Sequence, residues 1–213
     1  MPLYKSINVN SQTTVKIWKI EESYQDLIQP LSLKAESLAR VNGMKSELHQ
    51  RGFLSVRHLL RAFGYTDQDL FYDEYGKPHL KDGKHISITH SFIFSGVIIS
   101  NKDVGIDIEK QRDKIAIIAK KFVGYEFDYL DTNTEDYVQK LTVIWGIKES
   151  LYKLFATPGM LFKDHFLVIP FMLQDGVTVA WIDYKEKKYR YDTTFLEFEG
   201  FTCAYVVANE YYL

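Results

Sequence analysis

Cysteine is nearly missing, with Cys203 the one thiol in 213 residues. A lone cysteine excludes an internal disulfide framework and suits a reducing compartment. Inside Phe201-Thr202-Cys203-Ala204-Tyr205-Val206-Val207 it reads as a small core hydrophobe. An excess of either charge is lacking too: 26 Lys and Arg against 28 Asp and Glu give a net charge of −2. That balance offers no electrostatic reason to expect nucleic acid as a partner. No apolar run approaches the ~20 residues needed to span a bilayer, and Met1-Pro2-Leu3-Tyr4-Lys5-Ser6 lacks the apolar centre of a signal peptide. These absences predict a cytoplasmic, soluble chain with no membrane partner. What is plentiful is apolar material, 46% of the residues, with 15% aromatic. A core is assured, in one large domain or two small lobes.

Alternation marks Val15 to Ile20 as a strand. Residues 33–63 carry a helical pattern, broken near Asn42-Gly43 and stopped at Gly64. Asp73-Glu74-Tyr75-Gly76-Lys77-Pro78 is a turn by its glycine and proline. Strands are expected at 86–90, 95–100 and 104–109, helical pieces at 114–130, and further strands at 166–169, 177–184, 189–198 and 201–208. The strongest helix runs from Thr134 to Ala156, with a Thr132/Glu135 capping box at its start and Pro158-Gly159 as its stop. Helices precede strands in both halves. The expected fold is α+β: two pseudo-symmetric lobes, each of helices packed on a small antiparallel sheet, with the active site in the cleft between them. The boundary falls near 101–104, giving lobes 1–102 and 103–213.

Val104-Gly105-Ile106-Asp107-Ile108-Glu109 places two carboxylates on one face of a strand, their Cα atoms ~6.6–7 Å apart. Gly105 on that face leaves room for a ligand to approach the backbone. In the 134–156 helix, Val138, Leu141, Ile144, Trp145, Leu151, Tyr152 and Phe155 form an apolar stripe that also contains Lys148. Glu149 borders it, and Lys153 lies one turn beyond Glu149 on the same side. Ile147 and Leu154 make the opposite side apolar, so the helix is buried on most faces. A charge in such a place is normally matched by a counter-charge or a metal. Asp107, Glu109 and Glu149 together form an all-oxygen ligand set, which favours Mg²⁺ with Mn²⁺ as a substitute. Lys148 and Lys153 would add positive charge for a phosphate held there. The plainer alternatives are an acidic pair on an exposed strand and a surface Glu149–Lys153 pair, the second of which leaves Lys148 unexplained.

The run Gly105-Ile106-Asp107-Ile108-Glu109, followed by Trp145-x-x-Lys148-Glu149-x-x-x-Lys153, resembles the signature pair of the 4′-phosphopantetheinyl transferases. The length resembles the monomeric, surfactin-synthetase-activating type. Gly76-Lys77-Pro78, Ile86-Ser87-Ile88-Thr89-His90-Ser91 and the basic helix segment 53–61 are similar to further motifs of that family. The resemblance spans about residues 50–156. Thr89 stands where the family usually has serine, and Phe127 follows Glu126 where many members have tryptophan. Residues 1–45 and 165–213 match none of its motifs.

The resemblance implies Mg²⁺-dependent transfer of the 4′-phosphopantetheine arm of coenzyme A to a serine of an acyl or peptidyl carrier protein, releasing adenosine 3′,5′-bisphosphate. It implies that Asp107, Glu109 and Glu149 ligate Mg²⁺, and that Lys148 and Lys153 contact the pyrophosphate. Lys77, Pro78, Thr89 and His90 would hold the coenzyme, His90 near its 3′-phosphate, and Arg57 would add positive charge at the nucleotide end. The first lobe would then make the nucleotide contacts and the second carry the metal site. Glu149, or a water on the metal, is the expected general base, with Lys153 serving the leaving group. Competing readings are a Mg²⁺-dependent phosphoesterase or nuclease, and a non-catalytic carrier-protein binding module.

Overall fold

The computed structural model describes residues 3–208. The chain divides into two compact units, Met1–Lys102 and Asp103–Leu213. In the first, β1 (Leu3–Asn10) and β2 (Thr13–Lys19) are followed by α1 (Tyr24–Ile28), α2 (Ala35–Asn42) and α3 (Glu47–Ala62), then by β3 (Leu70–Tyr72), β4 (Pro78–Leu80), β5 (His85–Ser91) and β6 (Phe94–Ser100). The sheet is antiparallel, in the order β1-β2-β6-β5-β4-β3. Phe53, Leu54, Val56, Leu59 and Leu60 give α3 a buried face that joins Val97 and Ile99 of β6 in one core. At its end Gly64 takes φ 88°, a left-handed value that glycine adopts at no steric cost. The expected turn at 73–78 is present, with Gly76 at φ 83°.

The second unit opens with β7 (Val104–Lys110), continues through α4 (Lys114–Ile118), α5 (Tyr137–Phe155) and α6 (Phe162–His165), and closes with β8 (Phe166–Val168), β9 (Val177–Tyr184), β10 (Lys187–Phe198) and β11 (Phe201–Val207). Its sheet order is β7-β11-β10-β9-β8, all antiparallel. Leu141, Ile144, Ile147, Leu151 and Leu154 of α5 share a core with Phe166, Ile182, Phe195 and Val206 of the sheet. The two units repeat one topology. In each, a strand leads into helices, and a four-strand meander then returns to pair with that strand. β1 is an extra strand outside the repeat, an edge strand whose residues are mostly exposed.

The α+β architecture anticipated from the order of elements is therefore present. Some details differ, and α1 and the short strands β3 and β4 were not anticipated. β1 escapes the periodicity reading because it is an edge strand without a buried face, defined by its pairing to β2. The helix expected from Thr134 starts at Tyr137: the Thr134 hydroxyl donates to the Asp131 carbonyl at 2.9 Å, and N-cap Asp136 makes no side-chain cap. The expected Thr132/Glu135 capping box is thereby replaced. At the other end the helix stops where expected, with Ala156 as a left-handed cap at φ 49°.

Candidate active site

Two glycines set the geometry in which α5 lies on β7 and β11. A Cβ on Gly105 would overlap the Ser150 carbonyl, so β7 touches the helix backbone itself there. The room read at Gly105 for a ligand is thus occupied by α5. A Cβ on Gly146 would lie 3.2 Å from that of Ala204 and 3.9 Å from Asp107 Oδ2. An internal helix glycine costs about 1 kcal/mol relative to alanine; here it permits the close approach. Ser150 completes the seam, its hydroxyl donating to the Gly146 carbonyl at 2.7 Å and to the Ala204 carbonyl of β11 at 3.0 Å.

With the helix placed this way, Lys153 reaches back to β7. Its ammonium donates to the Ile106 carbonyl at 2.9 Å and to Asp107 Oδ1 at 2.8 Å. Asp107 is buried opposite Ala204 on β11, while the Lys153 side chain stays partly open. Two of the three ammonium hydrogens are engaged, which leaves one for another acceptor. Burial pushes the Glu149 carboxyl up to about 7; the Asp107 carboxylate adds to the rise, Lys153 opposes it and Glu109 adds further. On α5, Glu149 falls one turn from both Gly146 and Lys153 on the same face, and both of those positions lie at Asp107. Glu109 lines a cavity of about 200 Å³ with Lys110, Arg112, Lys114, Ile115, Ile118 and Trp145.

Among the described residues, no three His, Cys, Asp or Glu side chains converge as metal ligands. Within the protein, Lys153 serves Asp107, and burial with the neighbouring carboxylates raises the Glu149 pKa to about 7. Both responses are those of clustered carboxylates in a low-dielectric setting.

Lys148 points elsewhere. It is 0% exposed and donates to Glu126 Oε1 at 2.7 Å, the Phe122 carbonyl at 2.7 Å and the Phe162 carbonyl at 3.1 Å. All three hydrogens are taken inside the fold, so the pyrophosphate contact expected of Lys148 does not match this placement. Burial lowers its pKa, against the pull of Glu126.

In the first unit, Arg57 is likewise drawn inward. It is 3% exposed, bonds Asp67 Oδ1 through Nε at 3.0 Å and stacks over the Phe53 ring at 3.5 Å. Asp67 also accepts from the Lys34 amide and the Ser37 hydroxyl, so Arg57 ties α3 to α2 instead of offering surface charge. Lys77 precedes Pro78 at the start of β4, its amide donating to Asp73 Oδ1 at 2.9 Å. Thr89 is buried and His90 exposed at the far end of β5. β4 and β5 run antiparallel through His79↔His85, so that pairing carries Pro78 and Lys77 toward the Thr89 end of β5. The His90 ring lies against Gly52 of α3 and 6.4 Å from the His49 ring.

Residues 103–206, the stretch that holds this arrangement, match the 4′-phosphopantetheinyl transferase superfamily. Over 161 residues the chain is 29% identical to 4′-phosphopantetheinyl transferase gsp of Aneurinibacillus migulanus, covering 72% of this chain and 65% of that protein. Over 100 residues it is 33% identical to a 4′-phosphopantetheinyl transferase of Bacillus subtilis, covering 44% of each. The second half of the chain is thus similar to the 4′-phosphopantetheinyl transferase superfamily. It spans less than two thirds of the length of these curated relatives. A crystal structure of Thermotoga maritima holo-[acyl-carrier-protein] synthase is also similar, at 18% identity and TM-score 0.41, over 49% of this chain and 61% of that one.

Glu126 is the residue that the sequence left without a role. The signal was present, since a lysine inside an apolar stripe requires a counter-charge. Nothing in the linear order says that the partner comes from the preceding turn segment. The basic rim of Lys110, Arg112 and Lys114 was equally silent, because cations following a strand are ordinary surface residues until a cavity gathers them.

Proposed function

We propose that this protein transfers the 4′-phosphopantetheine arm of coenzyme A to a serine of an acyl or peptidyl carrier protein, with adenosine 3′,5′-bisphosphate leaving. The observation that carries the reading is the assembly of Lys153, Asp107 and Glu149 on one side of the α5–β7 seam, with Lys153 2.8 Å from Asp107. The match of residues 103–206 to the superfamily supports it.

The acceptor serine is a weak nucleophile and must lose its proton as it attacks the β-phosphorus of the pyrophosphate. Glu149 is proposed to take that proton, as a positioned carboxylate can. The serine oxygen–phosphorus bond forms, the bridging phosphorus–oxygen bond breaks, and negative charge collects on the departing bisphosphate. Lys153, with one ammonium hydrogen not engaged, stabilises or protonates that charge. The donor set fits Mg²⁺: the oxygens are hard, and Mg²⁺ is commonly held by one or two carboxylates while water and phosphate fill the remaining positions. Asp107 and Glu149, with Glu109 beside them, would hold the ion, which would supply charge to polarise the phosphoryl oxygen and neutralise the leaving group. Lys77, Pro78, Thr89 and His90 are proposed to contact the coenzyme. We further propose a cytoplasmic monomer.

The test is direct. The protein is mixed with coenzyme A, Mg²⁺ and a panel of apo carrier proteins, and the carriers are weighed by mass spectrometry. Addition of one phosphopantetheine per carrier, abolished by EDTA, is expected. Coenzyme A hydrolysis without any carrier gaining mass would favour the phosphoesterase reading instead.

A further inference from the structure

We infer that the buried Glu126–Lys148 pair is a positioning device: it fixes the rotation of α5 about its own axis and so aims Glu149 at Asp107. Lys148 and Glu126 are each 0% exposed and 2.7 Å apart. Stability alone is a poor explanation for such a pair, since desolvation commonly offsets the attraction and well-packed apolar replacements are often no worse. What the pair supplies is direction.

The three acceptors around Lys148 come from three places in the chain: the Phe122 carbonyl, the Glu126 carboxylate and the Phe162 carbonyl of α6. Glu126 is itself clamped, taking the Gly124 amide on Oε2 at 3.0 Å and the Val168 amide of β8 on Oε1 at 2.9 Å. The ammonium thus sits in a cage whose walls are tied to the sheet. Successive residues on a helix are turned by roughly 100°, so Lys148 and Ser150 lie about 200° apart with Glu149 between them. Ser150 holds one side of α5 to β11. The cage holds the other. Glu149 stands on the rim between two grips, and Lys153 meets Asp107 one turn later. Without the cage, the Lys148 side of the helix would keep only apolar packing, which is non-directional and resists rolling less than charge-assisted hydrogen bonds do. A misplacement of about 1 Å at reacting groups can cost about 100-fold in rate.

The kinetic part of this inference rests on the proposed transferase reaction, while its structural part does not. The test compares the wild-type chain with the double variant Glu126→Gln/Lys148→Met, which removes both charges together and leaves no buried ion alone. Thermal unfolding, hydrogen exchange of the amides of residues 146–153, and kcat and KM for coenzyme A with an apo carrier protein are measured. The expected result is a Tm close to wild type, faster exchange over 146–153, kcat lower by about 10- to 100-fold, and KM for coenzyme A within about twofold. An unchanged kcat at unchanged Tm would overturn the inference. So would a raised KM with kcat preserved, which is the signature of a lysine that binds pyrophosphate. If the double variant does not fold, Glu126→Gln alone is used; it keeps Lys148 bonded to both carbonyls and must show the same split. Should the wild-type chain load no carrier, the transferase reading fails by itself, and exchange alone decides: unchanged protection of 146–153 in the variant overturns the cage, and faster exchange at preserved Tm supports it.

Discussion

Burial and the Asp107 carboxylate hold the Glu149 pKa up to about 7, against an ordinary value of 4.5. Between those values the folded chain binds a proton that the unfolded chain has released. The contribution to stability is therefore whole below pH 4.5 and is lost as pH rises through about 7. In EDTA, wild-type stability measured by urea unfolding should decline between pH 5 and 8 relative to Glu149→Gln, by at most about 3 kcal/mol. A parallel profile for the two proteins would place Glu149 outside that electrostatic field. Lys153 invites a second measurement. If it serves the leaving group, Lys153→Ala should lower kcat by at least about tenfold with a smaller change in KM for coenzyme A; a change in KM alone would limit Lys153 to binding. At this scale the sequence was most informative where chemistry is unusual. Asp107, Glu109, Glu149 and Lys153 stand out in one dimension because carboxylates and lysines interrupt apolar patterns. Lys148 stood out for the same reason and Arg57 through the resemblance alone; both were expected to face the coenzyme, whereas they find their partners, Glu126 and Asp67, inside the fold.

Among the elements, α5 was legible because its apolar residues recur with helical period and because Pro158-Gly159 limits how far it can run. Its seat on the sheet was not legible. Gly105 belongs to a motif whose carboxylates suggest a ligand, so its small size looked like an opening. Only the fold shows the Ser150 carbonyl filling that space. Gly105→Ala should therefore force β7 and α5 apart, with a cost of about 1–3 kcal/mol typical of overpacking or somewhat more, since backbone yields less than side chain. Chemical denaturation would measure it, and a cost below about 0.5 kcal/mol would mean the seam is softer than the coordinates imply. β1 marks the opposite limit of sequence reading: as an exposed edge strand it carries little hydrophobic pattern, and it exists because β2 offers hydrogen bonds.

On the scale of the whole chain, the repeated strand–helices–meander topology was foreshadowed by helices preceding strands in each half, although strand order within a sheet leaves no trace in the sequence. Ligand linkage gives the test at this level. Coenzyme A with Mg²⁺ at about 100 times its dissociation constant should stabilise the protein by about 2.7 kcal/mol. EDTA or Asp107→Ala should remove most of that gain, and a variant with the full gain would place the ion elsewhere. The enclosure of Lys148 has a consequence for the chemical reactivity of the molecule. An amine-acylating reagent can modify Lys153, which is partly open, from the native state, but it can reach Lys148 only after that corner of the protein comes apart. Acylation of Lys148, followed over time by peptide mass mapping, is therefore a clock for local opening: one buried nitrogen, left as nature made it, reports how often the second half of the chain breathes.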